Sequence, residues 1–73
     1  MGLQPLPARK IIKALARLGF KIVRQRGSHV FMEHPDGRTT LVPNHPGEEI
    51  DRRLLRKIIR DAEVEPDDFM RLV

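Results

Sequence analysis

The stretch Phe20-Lys21-Ile22-Val23-Arg24-Gln25-Arg26-Gly27-Ser28-His29-Val30-Phe31-Met32-Glu33-His34-Pro35-Asp36-Gly37 decides the fold, because it reads as two β-prone runs, each stopped by turn residues. In the first run Phe20, Ile22 and Arg24 alternate with Lys21, Val23 and Gln25 until Arg26-Gly27-Ser28 interrupts the pattern, which is the period-two signature of a strand. His29 to His34, with Val30, Phe31 and Met32 at its centre, is a second strand. Pro35-Asp36-Gly37 closes it, since proline presets φ, aspartate bonds its neighbouring backbone and glycine accepts a positive φ. Arg38-Thr39-Thr40-Leu41-Val42 resumes an extended preference and stops at Pro43, before the loop Asn44-His45-Pro46-Gly47. The three runs predict an antiparallel meander.

Helical periodicity flanks the meander on both sides. Ahead of it, Pro7 suits a first helical turn, and Ala8, Ile11, Ile12, Leu15 and Leu18 recur at spacings of three and four until Gly19, predicting a helix over Pro7 to Leu18. Behind it, Ile50, Leu54, Leu55, Ile58 and Ile59 predict a second helix over about Glu49 to Asp61, with Glu48, Glu49 and Asp51 suited to the positive end of its dipole. Pro66-Asp67-Asp68 has the composition of a further helix start, which Phe69, Leu72 and Val73 would pin. The order α-β-β-β-α predicts an α+β fold: a two-layer sandwich with both helices on one face of the sheet, plus a short C-terminal helix. It is the element order of double-stranded-RNA-binding domains, a fold-level analogy that fixes no chemistry.

At 73 residues the chain has room for one domain, 1–73, in which residues 1–6 are expected to be a flexible lead. A domain of this size buries roughly 60% of its unfolded surface, which leaves little interior for a cofactor and predicts a shallow active surface. The chain has no cysteine, so disulfides, thiolate nucleophiles and cysteine-based zinc sites are excluded, and a reducing, cytoplasmic setting fits. No apolar run approaches the roughly 20 residues of a membrane span, and Met1-Gly2-Leu3-Gln4-Pro5 lacks a secretory signal. Met1-Gly2 lacks the rest of a myristoylation motif, which wants Ser or Thr where Leu6 stands.

Fourteen Lys and Arg against ten Asp and Glu give a net charge of +4, and their placement is uneven. Arg9, Lys10, Lys13, Arg17, Lys21, Arg24 and Arg26 are the only charged side chains before Glu33 other than histidine, whereas Asp61, Glu63, Glu65, Asp67 and Asp68 face only Arg71 at the other end. The basic front half points to a polyanionic partner, because cations that displace counterions from phosphates gain affinity. A solvated surface around a small core accounts for the same pattern. Arginine outnumbers lysine ten to four, which favours bidentate contacts with phosphate or carboxylate. Helix two adds Arg52, Arg53, Arg56, Lys57 and Arg60, a possible phosphate ladder.

His29 is the candidate for chemistry. It follows the Gly27-Ser28 turn, just beyond Lys21, Arg24 and Arg26, and an imidazole titrating near neutrality can take a proton from a ribose 2′-hydroxyl or give one to a leaving 5′-oxygen. The cations upstream would stabilise the charge that builds on phosphorus. Against this stands the plain reading of an exposed strand-edge histidine with no chemical role. His29-x4-His34-x10-His45 matches no known zinc spacing, so no metal is expected; His34 and His45, each before a proline, read as caps of their loops. Ser28 lacks an identifiable histidine–acid pair to make it a nucleophile. Phe20, Phe31 and Phe69 lack the paired spacing of base-stacking platforms and read as core.

Taken together, Leu18-Gly19-Phe20, Val23-Arg24-Gln25-Arg26-Gly27-Ser28-His29, His34-Pro35, Thr40-Leu41-Val42-Pro43-Asn44-His45 and Leu55-Arg56-Lys57-Ile58-Ile59 resemble the HicA (YcfA-like) toxins, over nearly the whole chain. The most specific part is Arg-x-x-Gly-Ser-His. The resemblance implies an mRNA interferase, an endoribonuclease toxin of a toxin–antitoxin pair that cuts mRNA without metal or cofactor and is silenced by a HicB antitoxin. It places the catalytic histidine at His29 and the turn of the family at Gly27 and Ser28, where glycine is expected to allow a backbone that a side chain would obstruct. The expected RNA-binding residues are Lys13, Arg17, Lys21, Arg24, Arg26, Gly27 and Ser28. Two departures concern helix two: Arg53-Leu54-Leu55-Arg56 replaces Gly-Thr-Leu-Arg at its start, and Ala62-Glu63 replaces the Ala-Gly that would cap its end. The competing readings are a non-catalytic module that binds duplex RNA by shape and a pure protein-interaction domain whose basic surface docks an acidic partner.

Overall fold

The computed structural model describes residues 2–73; Met1, and with it the reading of Met1-Gly2, lies outside the described residues. The elements run β1 (Leu6–Pro7), α1 (Ala8–Arg17), β2 (Lys21–Arg26), β3 (His29–Glu33), β4 (Thr39–Pro43), β5 (Glu49–Ile50), α2 (Arg52–Ala62) and α3 (Pro66–Met70). The meander forms as expected, an antiparallel sheet in the order β2-β3-β4. In β3 and β4 burial alternates: Val30, Met32, Thr40 and Val42 face the helices, while His29, Phe31, Glu33 and Leu41 lie on the other side. The helices supply Ile11, Ala14 and Leu15 from α1 and Leu55, Ile58, Ile59 and Ala62 from α2 to the same core. One face of the sheet is therefore packed and the other open, the α+β arrangement expected from the order of elements.

Two short strands that the sequence pattern does not announce close the N-terminal side. β1 and β5 pair antiparallel, with Leu6 opposite Ile50 and Pro7 opposite Glu49, and Leu3 and Ile50 are buried. The segment read as a flexible lead thus contributes Leu3 to the core and Leu6 to its margin. The same pairing corrects the start of helix two: Glu49 and Ile50 are strand, and the helix begins after Asp51, whose carboxylate accepts from the Leu54 N–H at 2.9 Å. At the other end Glu63 adopts the left-handed conformation, φ 57° and ψ 44°, where glycine would be free of strain. α3 starts at Pro66 and buries Phe69; Leu72 packs at the core's edge, whereas Val73 is exposed.

β2 departs from plain alternation. Its register runs Ile22 opposite Met32 and then Arg24 opposite Phe31, so Val23 is an extra residue, a β-bulge. Residues directly opposite across a pair share a face. Lys21 (opposite Glu33), Arg24 (opposite Phe31) and Arg26 (opposite His29) therefore all belong to the open face. Without the bulge Lys21 would fall on the face opposite to the two arginines. Ile22 and Val23, on this outermost strand, stay more than half exposed.

Candidate functional site

The open face of the sheet converges on the β2–β3 hairpin. Gly27 and Ser28 form a two-residue loop with Arg26 and His29 as its flanking pair. Gly27 has φ +56° while Ser28 is not in the positive-φ region, the arrangement of a type II′ turn, whose backbone twist suits a hairpin. A Cβ on Gly27 would meet nothing within 4 Å. Its reason is therefore backbone conformation, a positive φ that glycine adopts without strain.

His29 opens β3 beyond this turn, exposed, opposite Arg26 on one side and Pro43 on the other. Its ring takes no part in the side-chain hydrogen bonds that engage His34 and His45. Two residues along the same face, the Arg24 guanidinium lies 4.5 Å from the centroid of the Phe31 ring. Phe31, read as core, is only half-buried, on the open face beside Leu41. The site thus offers an imidazole unpartnered among the described residues, the cations Lys21, Arg24 and Arg26, and an apolar floor.

Two expected contributors lie elsewhere. Lys13 and Arg17 belong to α1, in the helical layer on the other side of the sheet from His29, and the Arg17 guanidinium donates to the Leu72 carbonyl at 2.7 Å. The α2 cations also belong to that layer. At 100° per residue Arg52, Arg53, Arg56 and Arg60 share an arc of about 100°. They are exposed, whereas Lys57, outside that arc, is bound to Asp61 at 3.1 Å. That carboxylate also accepts from the buried Thr40 hydroxyl at 3.0 Å.

The other two histidines have different surroundings. His34 sits at the β3–β4 turn, where its Nε2 lies 3.1 Å from the Leu18 carbonyl and its Nδ1 accepts from the Asp36 N–H at 3.1 Å. Those partners assign the proton to Nε2. The ring meets Phe20 edge-on at 5.3 Å between centroids. Arg38 completes the knot, binding the Asp36 carboxylate at 2.8 Å, resting over Phe20 and donating to the Ala62 carbonyl. The Asp36 carboxyl is held below its usual range, first by the Arg38 side chain and then by the Arg38 N–H. His45 instead lies near the candidate site: its Nε2 is 3.4 Å from the Ser28 hydroxyl, and the adjacent Asn44 N–H donates to the Ser28 carbonyl at 2.7 Å. In the sequence His45 reads as a loop cap, because it lies seventeen positions beyond Ser28 and only the return of β4 beside β3 brings them together.

Among the described residues no group of three or more His, Asp or Glu side chains is arranged to hold a metal ion, and no helix is long and apolar enough to cross a membrane. A family model described as the HicA toxin of bacterial toxin–antitoxin systems matches residues 8–64. No curated protein matches the chain.

Proposed function

Because this chain belongs to the HicA toxin family of bacterial toxin–antitoxin systems, and so has an antitoxin as its counterpart, we propose that it acts as an mRNA interferase, with His29 as the group that moves a proton during strand cleavage. The observation that carries the reading is the company His29 keeps: an exposed imidazole with no hydrogen-bond partner among the described residues, on the same sheet face as Lys21, Arg24 and Arg26. RNA supplies its own nucleophile, the 2′-hydroxyl next to the scissile phosphate. A protein that cuts by this route must remove that proton, protonate the leaving oxygen and stabilise negative charge on phosphorus, which imidazoles and guanidinia can do without a metal or cofactor. The shallow open face fits a strand laid across it, and Gly27 and Ser28 bring backbone close to that strand. A HicB-like antitoxin that covers this face would silence the toxin by excluding RNA, its carboxylates meeting the same cations. Such a pair would work in the cytoplasm, where its mRNA is.

The test is cleavage of mRNA in EDTA by the parent and by His29→Ala. The variant is expected to cut about 10²–10⁴-fold more slowly while its RNA affinity stays within a few-fold. Parental cleavage by the variant would refute the assignment. A second reading, a non-catalytic module that binds duplex RNA, draws on the arginine arc of α2 in the layer away from His29. It is favoured instead if folded, antitoxin-free protein binds duplex with a steep salt dependence and leaves RNA intact.

A further inference from the structure

Cleavage through a 2′-hydroxyl needs two proton transfers, and His29 provides one group. We infer that His45 is the other, the general acid that protonates the leaving 5′-oxygen; this rests on the nuclease reading above. Three observations carry it. The first is proximity: Ser28 precedes His29 in the chain, so the 3.4 Å contact between the Ser28 hydroxyl and His45 Nε2 keeps the second ring within about 10 Å of the His29 Cα. The second is anchoring, because the Asn44 N–H donates to the Ser28 carbonyl and ties the loop that carries His45 to the turn that carries His29.

The third is the contrast in neighbouring charge. His45 lines a small recess with Glu48, Glu49 and Asp51; the Asp51 carboxylate also caps α2. His29 lies opposite Arg26 with Arg24 along the same face, beside the cations that would stabilise charge on the attacking 2′-oxygen and on phosphorus. The base role therefore goes to His29 and the acid role to His45, with Ser28 as a positioning residue that orients the His45 ring. His34 cannot serve, since both its ring nitrogens are engaged at the other turn.

The step balances without an oxidant, a reductant or added water. His29 takes the proton of the 2′-hydroxyl, the 2′-oxygen bonds to phosphorus, the bond from phosphorus to the 5′-oxygen breaks, and His45 gives its proton to that oxygen. The products are a 2′,3′-cyclic phosphate and a 5′-hydroxyl, and both rings then return to their starting states by exchange with solvent.

The experiment replaces the bridging 5′-oxygen with sulfur at a linkage that the parent cuts, because a thiolate departs without being protonated. On the ordinary linkage His45→Ala is expected to be about 10²–10⁴-fold slower than the parent. On the thio linkage it should cut at close to the parental rate, whereas His29→Ala should stay slow on both. His45→Gln, closer in size, should behave as His45→Ala does, and a thermal melt of each variant verifies folding. The acid assignment falls if His45→Ala cuts the ordinary linkage at the parental rate, or if its deficit is equal on both. If instead the folded parent cuts neither linkage, or His29→Ala cuts as the parent does, the nuclease reading itself fails.

Discussion

The sheet's two hairpin turns carry one histidine each, and the two differ in what the fold leaves for them to do. At the β2–β3 turn His29 is exposed, with no hydrogen-bond partner among the described residues. At the β3–β4 turn His34 has both ring nitrogens engaged, its edge against Phe20 and the backbone of Gly19 pressed close. A satisfied imidazole joins three segments that meet there: the end of α1, the turn and, through Asp36 and Arg38, the end of α2. An unsatisfied one on a cationic face retains its proton chemistry for a ligand. Spare bonding capacity distinguishes the two, which residue type alone would not have done.

Removing each histidine in turn separates the two roles most widely. His29→Ala should lower RNA cleavage about 10²–10⁴-fold and leave the melting temperature nearly unchanged. His34→Ala should do the reverse, costing about 2–3 kcal/mol of stability through the lost bonds and the void beside Phe20, with cleavage per folded molecule within a few-fold of the parent. Urea unfolding and gel-based cleavage on both variants give the four numbers. Equal loss of activity in both would end the division of labour.

A finer probe of the tied turn is Gly19. Its φ is +105°, and a Cβ there would lie 2.9 Å from His34 Nε2. Gly19→Ala therefore incurs backbone strain and displaces the ring, about 1–2 kcal/mol together. In a His34→Ala background the steric part should vanish and only the strain remain, so the double-mutant cycle should show a coupling of at least about 0.5 kcal/mol. Strict additivity would mean that Gly19 answers only to its own backbone.

How much of this contrast could be read in advance follows from which interactions are local. The strands, the turn residues and the two main helices announce themselves through period and punctuation, and His29 through its place after Gly27-Ser28. The bulge at Val23 does not, because an extra residue in a register is a property of the pair, β2 against β3, and Phe20 to Gln25 alternates well enough alone. The grouping of Lys21 with Arg24 and Arg26 was thus invisible in the spacing. Ile50 sits four residues before Leu54 and so looks helical, although Asp51 marks the true start. Lys13 and Arg17 suggest themselves by charge, and only the packing of α1 shows them on the far side from His29. His45 meets Ser28 solely through tertiary return. Glu63 is the opposite case: the missing glycine was legible, and the strained left-handed cap follows from it.

The electrostatics of the tied turn rest on Asp36. Asp36 faces Arg38 at 2.8 Å and His34 Nδ1 at 3.0 Å, and its carboxyl is held below the usual range chiefly by the Arg38 side chain. A carboxyl with a lowered value in the folded state binds protons less readily there than in the unfolded chain. Its contribution is therefore complete above about pH 4 and is lost as the pH falls through the lowered value. Because Asp36 is solvent-exposed and screened, the contribution is small. Asp36→Asn should accordingly melt slightly below the parent at neutral pH, by a gap that stays constant down to about pH 5, narrows below pH 4 and closes in stronger acid. A gap unchanged at pH 2 would assign the effect to the hydrogen-bond geometry of the turn instead of to charge. At neutral pH the cleavage rate of this variant should match the parent's, since the paired carboxylate belongs to the turn that holds the fold and the rate belongs to the turn that was left open.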